Sequence, residues 1–261
     1  MNVQQVLSEL NAWFEKYIGQ FSSDDPMVQE NIHLKTVHTR RVCEAILDIG
    51  KSLGLSDEDL CIAEISALLH DIGRFKQYKQ YGTFSDYKSE DHASLGVTVI
   101  RTNGALQAFD PGTIDIIVKT VGYHNRATLP VGEDERCLFF LKLLRDADKV
   151  DIWRVVTEYY QEADKMRNPA IELDLPDTHS ISDSVYMDLV NGRLAQMADL
   201  KTLSDFKLLQ IGWIYDVNFP RTFQIVRDNE YLKKIYNSLT GNSTQVSEIY
   251  ERAIAYLKCK M

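Results

Sequence analysis

Residues 55–73, LSDEDLCIAEISALLHDIG, decide the fold. Ser56 offers a hydroxyl to the unpaired N–H groups of a first helical turn, and Asp57, Glu58 and Asp59 put negative charge where the helix dipole favours it. The apolar run Ile65 to Leu69 then makes the segment a buried helix, with Gly73 expected to close it. It ends on His70 and Asp71, two good metal ligands side by side, with the cationic Arg74 just beyond.

The same helical spacing recurs on both sides of this segment. Val42, Ile46, Ile49 and Leu53 fall on one helix face, with Gly50 and Gly54 marking its end and His38 near its start. From Lys76 to Asp91 no period is sustained; this polar stretch, with Tyr78, Tyr81, Phe84 and Tyr87, reads as a loop. Helices are expected at roughly 91–103, 112–125 and 133–164, the second entered through Pro111-Gly112 and the third preceded by Pro130. Residues 167–184, with two prolines and several capping residues, read as an irregular connection. Beyond it come four amphipathic segments, and Thr202 to Asp205 resembles a capping box. No strand-like alternation and no internal repeat compete with this pattern. The expected class is all-α, a helical domain over residues 1–165 with a C-terminal helical extension over 166–261.

A chain of 261 residues, 44% apolar, can bury a full core. Its formal net charge of −9 disfavours duplex nucleic acid as a partner, because such binding rests on a basic face. Cys43, Cys61, Cys137 and Cys259 lie far apart with no C-x-x-C pair, which points to reduced thiols rather than a zinc knuckle or a disulfide framework. The N-terminal stretch lacks the basic start and apolar run of a signal peptide, and no run approaches the roughly 20 apolar residues of a membrane span. A cytoplasmic protein is expected.

The histidines carry the chemistry. His38 stands in TVHTRRV, His70 ends the buried helix, His92 opens another in EDHASLG, and His124 ends IDIIVKTVGYHN. Helices that converge such ends on one point build metal sites from imidazole and carboxylate. A further element, LLRDADKVDIW, sets Asp146, Asp148 and Asp151 after an apolar run.

In these residues the sequence resembles the HD-domain superfamily of metal-dependent phosphohydrolases: a lone His in HTRRV, a His-Asp pair in ALLHDIGR, and a distant Asp in LRDADKVD. The likeness covers residues 36–152, less than half of the chain. By the family pattern Asp148 is the aligned aspartate, and Asp146 and Asp151 are supporting or surface residues. His92 and His124 match the two extra histidines of branches that hold two metals. The resemblance therefore implies a metal set of His38, His70, Asp71, His92, His124 and Asp148, with Asp71 bridging two ions. Arg74 replaces the lysine often found after His-Asp-x-Gly, and Lys149 stands where arginine is common. His33 and His179 fall outside the pattern and read as surface or packed residues.

The resemblance implies hydrolysis of a phosphate monoester or diester by a metal-bound hydroxide, with Asp71 and Arg74 as the catalytic candidates. Mixed nitrogen and oxygen ligands suit two ions of iron, manganese, cobalt or zinc. Arg74, one turn from His70, either engages a phosphate in bidentate fashion or pairs with one of the many carboxylates. Arg126, just after His124, is a substrate-binding candidate of the same kind. The aromatics of 78–87, Phe84 and Tyr81 foremost, either lid the substrate or pack their own loop. The expected partner is a small phosphorylated molecule such as a nucleotide, and the apolar C-terminal helices leave room for a homodimer. The same scaffold also hosts two-iron oxygenases, and it allows a non-catalytic signalling or scaffold role.

Overall fold

The fold starts from helix caps that the chain carries in its own sequence. In the computed structural model, which describes residues 3–162, 167–239 and 243–261, helix α1 (Val3–Ile18) is followed by α2 (Pro26–Ser52) and α3 (Asp57–Leu69). Asp25 caps α2 by accepting from Met27 N at 2.9 Å, with Pro26 in the first turn where its missing N–H costs nothing. Ser56 caps α3 through Asp59 N at 3.2 Å, as its acidic first turn predicts. After α4 (Ile72–Tyr81), Asp91 caps α5 (His92–Asn103) and Asp110 caps α6 (Pro111–Tyr123), in each case through side-chain oxygens on first-turn N–H groups. Helix α7 (Glu135–Gln161) follows.

The chain divides into two units, Met1–Asp148 and Lys149–Met261. The domain boundary expected between residues 165 and 166 falls within residues 163–166, outside the described residues. In the first unit α3 is the buried centre. Cys61, Ile62, Ala63, Ile65, Ala67, Leu68 and Leu69 are all buried, and α1, α2 and α6 pack around the helix. Each Ile or Leu sunk in this way contributes roughly 1.5–3 kcal/mol. Even its polar Ser66 is turned inward, the hydroxyl donating to Ile62 O at 2.8 Å.

Three expectations for this unit need correction. His38 lies in the middle of the 27-residue α2 and not near a helix start, because the Asp25-Pro26 cap begins the helix earlier. The stretch read as a loop from Lys76 is helical through Tyr81, and a short 3-10 turn follows at Asp86–Lys88. Gly73 does not close α3; it lies inside α4. A Cβ there would stand 2.2 Å from the His92 carbonyl oxygen and 2.6 Å from Gly96 N, so only glycine lets α4 lie backbone to backbone on α5. That close approach delivers His92 to the end of α3.

The second unit is helical as well: α8 (Pro169–Glu172), α9 (Asp183–Val190), α10 (Leu203–Gly212), α11 (Pro220–Asp228), α12 (Tyr231–Ser238) and α13 (Thr244–Cys259). The Thr202–Asp205 capping box is present in full at the start of α10. Its core gathers Trp153, Leu189, Leu208, Ile211, Ile214, Leu232, Ile235 and Ile249. The protein is all-α: no strand occurs among the described residues. Nor, among them, is any helix long and apolar enough to cross a membrane.

Candidate metal centre

Each candidate ligand reaches the centre from a backbone position that aims it there. His70 still has helical dihedrals as the last cap of α3, whereas Asp71 leaves them, at φ −102° and ψ 14°, and starts α4. The chain therefore bends between the two residues, and both side chains reach one place. His124 is the corresponding cap of α6, His92 is the first residue of α5, and His38 and Asp148 come from the long helices α2 and α7.

All six side chains meet. His38 Nε2 lies 3.3 Å from His70 Nε2 and 3.1 Å from Asp148 Oδ1. His92 Nε2 lies 3.1 Å from His124 Nε2. Asp71 stands between these groups with its oxygens divided. Oδ2 is 3.7 Å from both His38 Nε2 and His70 Nε2, and Oδ1 is 3.4 Å from His92 Nε2 and 3.9 Å from His124 Nε2. The four histidines and Asp71 are buried, and Asp148 is partly so.

The ring protons test whether this cluster suits a cation. Nδ1 of His70 donates to Ala67 O and Nδ1 of His124 to Val121 O, both at 2.7 Å. His92 Nδ1 donates to Asp86 Oδ2 at 2.7 Å. A neutral imidazole has one N–H, so each of these rings presents a bare lone pair at Nε2. Burial drives the His92 and His124 pKa values down to about 4 and lowers that of His70, which keeps the rings neutral. Two lone pairs 3.1 Å apart, beside a carboxylate, repel unless a positive ion lies among them. Donors sharing one ion at bonds of roughly 2.0–2.2 Å stand no more than about 4.4 Å apart, and every separation above is shorter. The donor set fits divalent metal ions.

The carboxylates are ionised. Burial works against Asp71, but the cations Lys35, whose Nζ lies 2.8 Å from Oδ2, and Arg74 hold its pKa well below the ordinary carboxylate range. Burial likewise opposes ionisation of Asp148, and the hydrogen bond with His38, whose Nε2 lies 3.1 Å from Oδ1, outweighs it.

Residues 36–153 match the family model of the HD domain. This stretch, a little under half of the chain, is similar to an HD domain. Its family consists usually of hydrolases, and its buried histidine and aspartate groups can bind metal ions. No curated protein and no solved structure matches the chain.

The other expected site residues are placed as follows. Arg74 is engaged by protein groups: Nη1 donates to Asp86 Oδ1 at 2.8 Å, to Gln77 Oε1 at 2.9 Å and to the Phe84 carbonyl. Arg126 is exposed, with its guanidinium 4.2 Å from the centroid of the Tyr123 ring. Phe84 is buried against Tyr78, whereas Tyr81 is exposed. Asp146 and Asp151 are buried, and His33 and His179 are exposed.

Four residues near the cluster were missed in the sequence. Lys35 precedes His38 by three residues on α2, a spacing that puts both on one helix face and is readable. Asp86, Asn125 and Arg145 had no such signal. Asn125 Nδ2 donates to Asp91 Oδ2 at 2.8 Å, and the buried Arg145 of α7 donates to His124 O at 3.1 Å and to the Arg126 carbonyl. Arg145 thus ties the end of α6 to the helix that carries Asp148.

Proposed function

We propose that this HD-like domain is a metal-dependent phosphohydrolase acting on a small phosphate ester such as a nucleotide. The observation that carries the reading is the division of Asp71: one oxygen faces His38 and His70, the other His92 and His124. On this reading His38, His70, Asp71 and Asp148 hold one divalent ion, His92 and His124 hold a second, and Asp71 bridges them. When bound, such ions polarise a phosphoryl group and bring the pKa of water toward neutrality.

The chain's own groups do the rest. Burial keeps the imidazoles neutral, so their lone pairs stay available as donors near pH 7. Lys35 and Arg74 offset the charge of Asp71. Arg74 and Arg126 are proposed to meet the phosphate oxygens, Arg74 by exchanging one of its present acceptors for the substrate. Mixed nitrogen and oxygen donors favour iron, manganese, cobalt or zinc.

The test is phosphate chemistry under controlled metal supply. Chelator-stripped full-length protein is reloaded with each metal and offered mononucleotides, nucleoside triphosphates, cyclic nucleotides, dinucleotides and sugar phosphates, with products followed by chromatography. Metal-dependent cleavage of one class, abolished in Asp71→Asn, is expected. Loaded protein that cleaves none of them, or an Asp71→Asn variant as active as the parent, overturns the reading.

A further inference from the structure

The three rings with assigned protons obtain their Nδ1 acceptors in two different ways. His70 and His124 each follow the last turn of a helix, where carbonyl oxygens lack intrahelical donors. Their Nδ1–H groups take the carbonyls three residues back, Ala67 and Val121. His92 is the first residue of α5 and has no preceding helical turn to supply a carbonyl. Its acceptor comes from the connection between α4 and α5, as Asp86 Oδ2 at 2.7 Å.

Asp86 is itself held from three directions. Oδ1 accepts from Arg74 Nη1 and from Gln77 Nε2, both at 2.8 Å, and from the His92 backbone N at 3.4 Å. Oδ2 also takes Asn125 Nδ2 at 3.3 Å, from the residue that follows His124. Gln77 is fully buried in α4, and its amide group also donates to Ser89 Oγ at 2.9 Å and Glu90 O at 2.8 Å, which pins the surrounding connection. A carboxylate fixed in this way admits one orientation of the His92 ring.

We propose that Asp86 is a positioning residue dedicated to one half of the centre: it locks His92 with the proton on Nδ1 and Nε2 aimed at His124 and Asp71 Oδ1, and so supports the ion at His92 and His124 without supporting the ion at His38, His70 and Asp148. The inference rests on the two-ion reading above. Carboxylates behind metal-bound imidazoles act in this manner, and their loss costs roughly 10–100-fold in metal affinity.

The experiment is a titration of the chelator-stripped full chain with Co2+ alone, followed by calorimetry and by the visible absorption of the bound ion. The parent, Asp86→Ala, Asp86→Asn and His92→Ala are compared, each first shown to be folded by circular dichroism. The parent is expected to take up two ions. Asp86→Ala should bind one with parental affinity and the other about 10–100-fold more weakly, with the absorption of that second ion altered. Asp86→Asn, which keeps an acceptor oxygen without its charge, should fall between and keeps the test open if the alanine variant does not fold. Parental affinity for both ions in the Asp86 variants overturns the inference alone, as does an equal weakening of both ions, which marks a general structural role. A parent protein that binds fewer than two ions overturns the two-ion reading, and this inference with it.

Discussion

Replacing Gly73 by alanine should destabilise the protein, although alanine is the better helix former by about 1 kcal/mol. Gly73 lies inside α4, where that gain would normally appear. The new Cβ, however, would stand 2.2 Å from the His92 carbonyl oxygen, 2.6 Å from Gly96 N and 3.1 Å from Gly96 Cα. All three are backbone atoms of α5, so no side-chain rotation relieves them. The shortest approach is about 1.2 Å inside ordinary contact, and overpacking of this kind costs roughly 1–3 kcal/mol. An approach this short against backbone takes the upper part of that range, about 2–3 kcal/mol, which set against the helix gain leaves a loss of about 1–2 kcal/mol, or a fall in Tm of about 2–8 °C. Because His92 opens α5, the same displacement should also weaken metal uptake at His92 and His124. Gly96→Ala is the matched control: its Cβ would meet Gly73 N and Ile72 Cγ2 at 3.5 Å and Val121 Cγ1 at 3.7 Å, all ordinary contacts. Thermal melts should show Gly73→Ala well below the parent and Gly96→Ala level with it or above. A Gly73→Ala protein as stable as the parent, or a Gly96→Ala protein equally damaged, would refute the close-approach argument.

Three further outcomes are expected. On the two-ion proposal, Asp71→Asn should lower the metal content by both equivalents, whereas His92→Ala or His124→Ala should lower it mainly by one; elemental analysis of the purified variants reads this directly, and equal loss from all three would contradict the bridging assignment. Burial lowers the His92 and His124 pKa values from 6.5 to about 4, so between those pH values the unfolded chain binds protons that the folded chain does not. Stability of the metal-free protein should be intact above pH 6.5 and fall as the pH drops toward 4; melts across that range with no change in Tm would sink the assignment. In the second unit, the fully buried Asp205 accepts from Ser182 N and Ser182 Oγ at 2.8 Å, from Lys201 N at 2.9 Å and from Thr202 N at 3.2 Å. Asp205→Ala strands those donors and should cost at least about 2 kcal/mol in urea denaturation.

What was readable in the sequence was whatever is encoded locally. The caps of α3 and α10 are spelled out by Ser56 and by Thr202 with Asp205, and both form. The start of α2 was equally local, in Asp25-Pro26, yet the apolar spacing taken from Val42 onward drew attention to its far end. Helix α4 failed for a different reason. Its inward face includes Gln77 and Tyr78, which a hydrophobic pattern counts as outward. They can be buried because their partners lie elsewhere: Asp86, Ser89 and Glu90 for Gln77, and Asn31, 47 residues upstream, for the Tyr78 hydroxyl. Polar residues satisfied at a distance erase the periodicity that marks a helix.

The candidate centre divides along the same line. A histidine at the end of a helix finds its Nδ1 acceptor in its own last turn, so the tautomers of His70 and His124 follow from their positions alone. A histidine at the start of a helix has no such turn and must borrow an acceptor from another segment. The side chain that lends it sits in a connection without period or motif, which is why six ligand candidates could be named from the sequence while Asp86, in contact with one of them, could not. The dependence also makes the two halves of the centre unequal. The half built on α2, α3 and α7 includes a ring oriented by its own helix, at His70. The half that includes His92 depends on Asp86 in the connection before α5. Changes in that connection should therefore alter metal binding at His92 and His124 before they alter the fold.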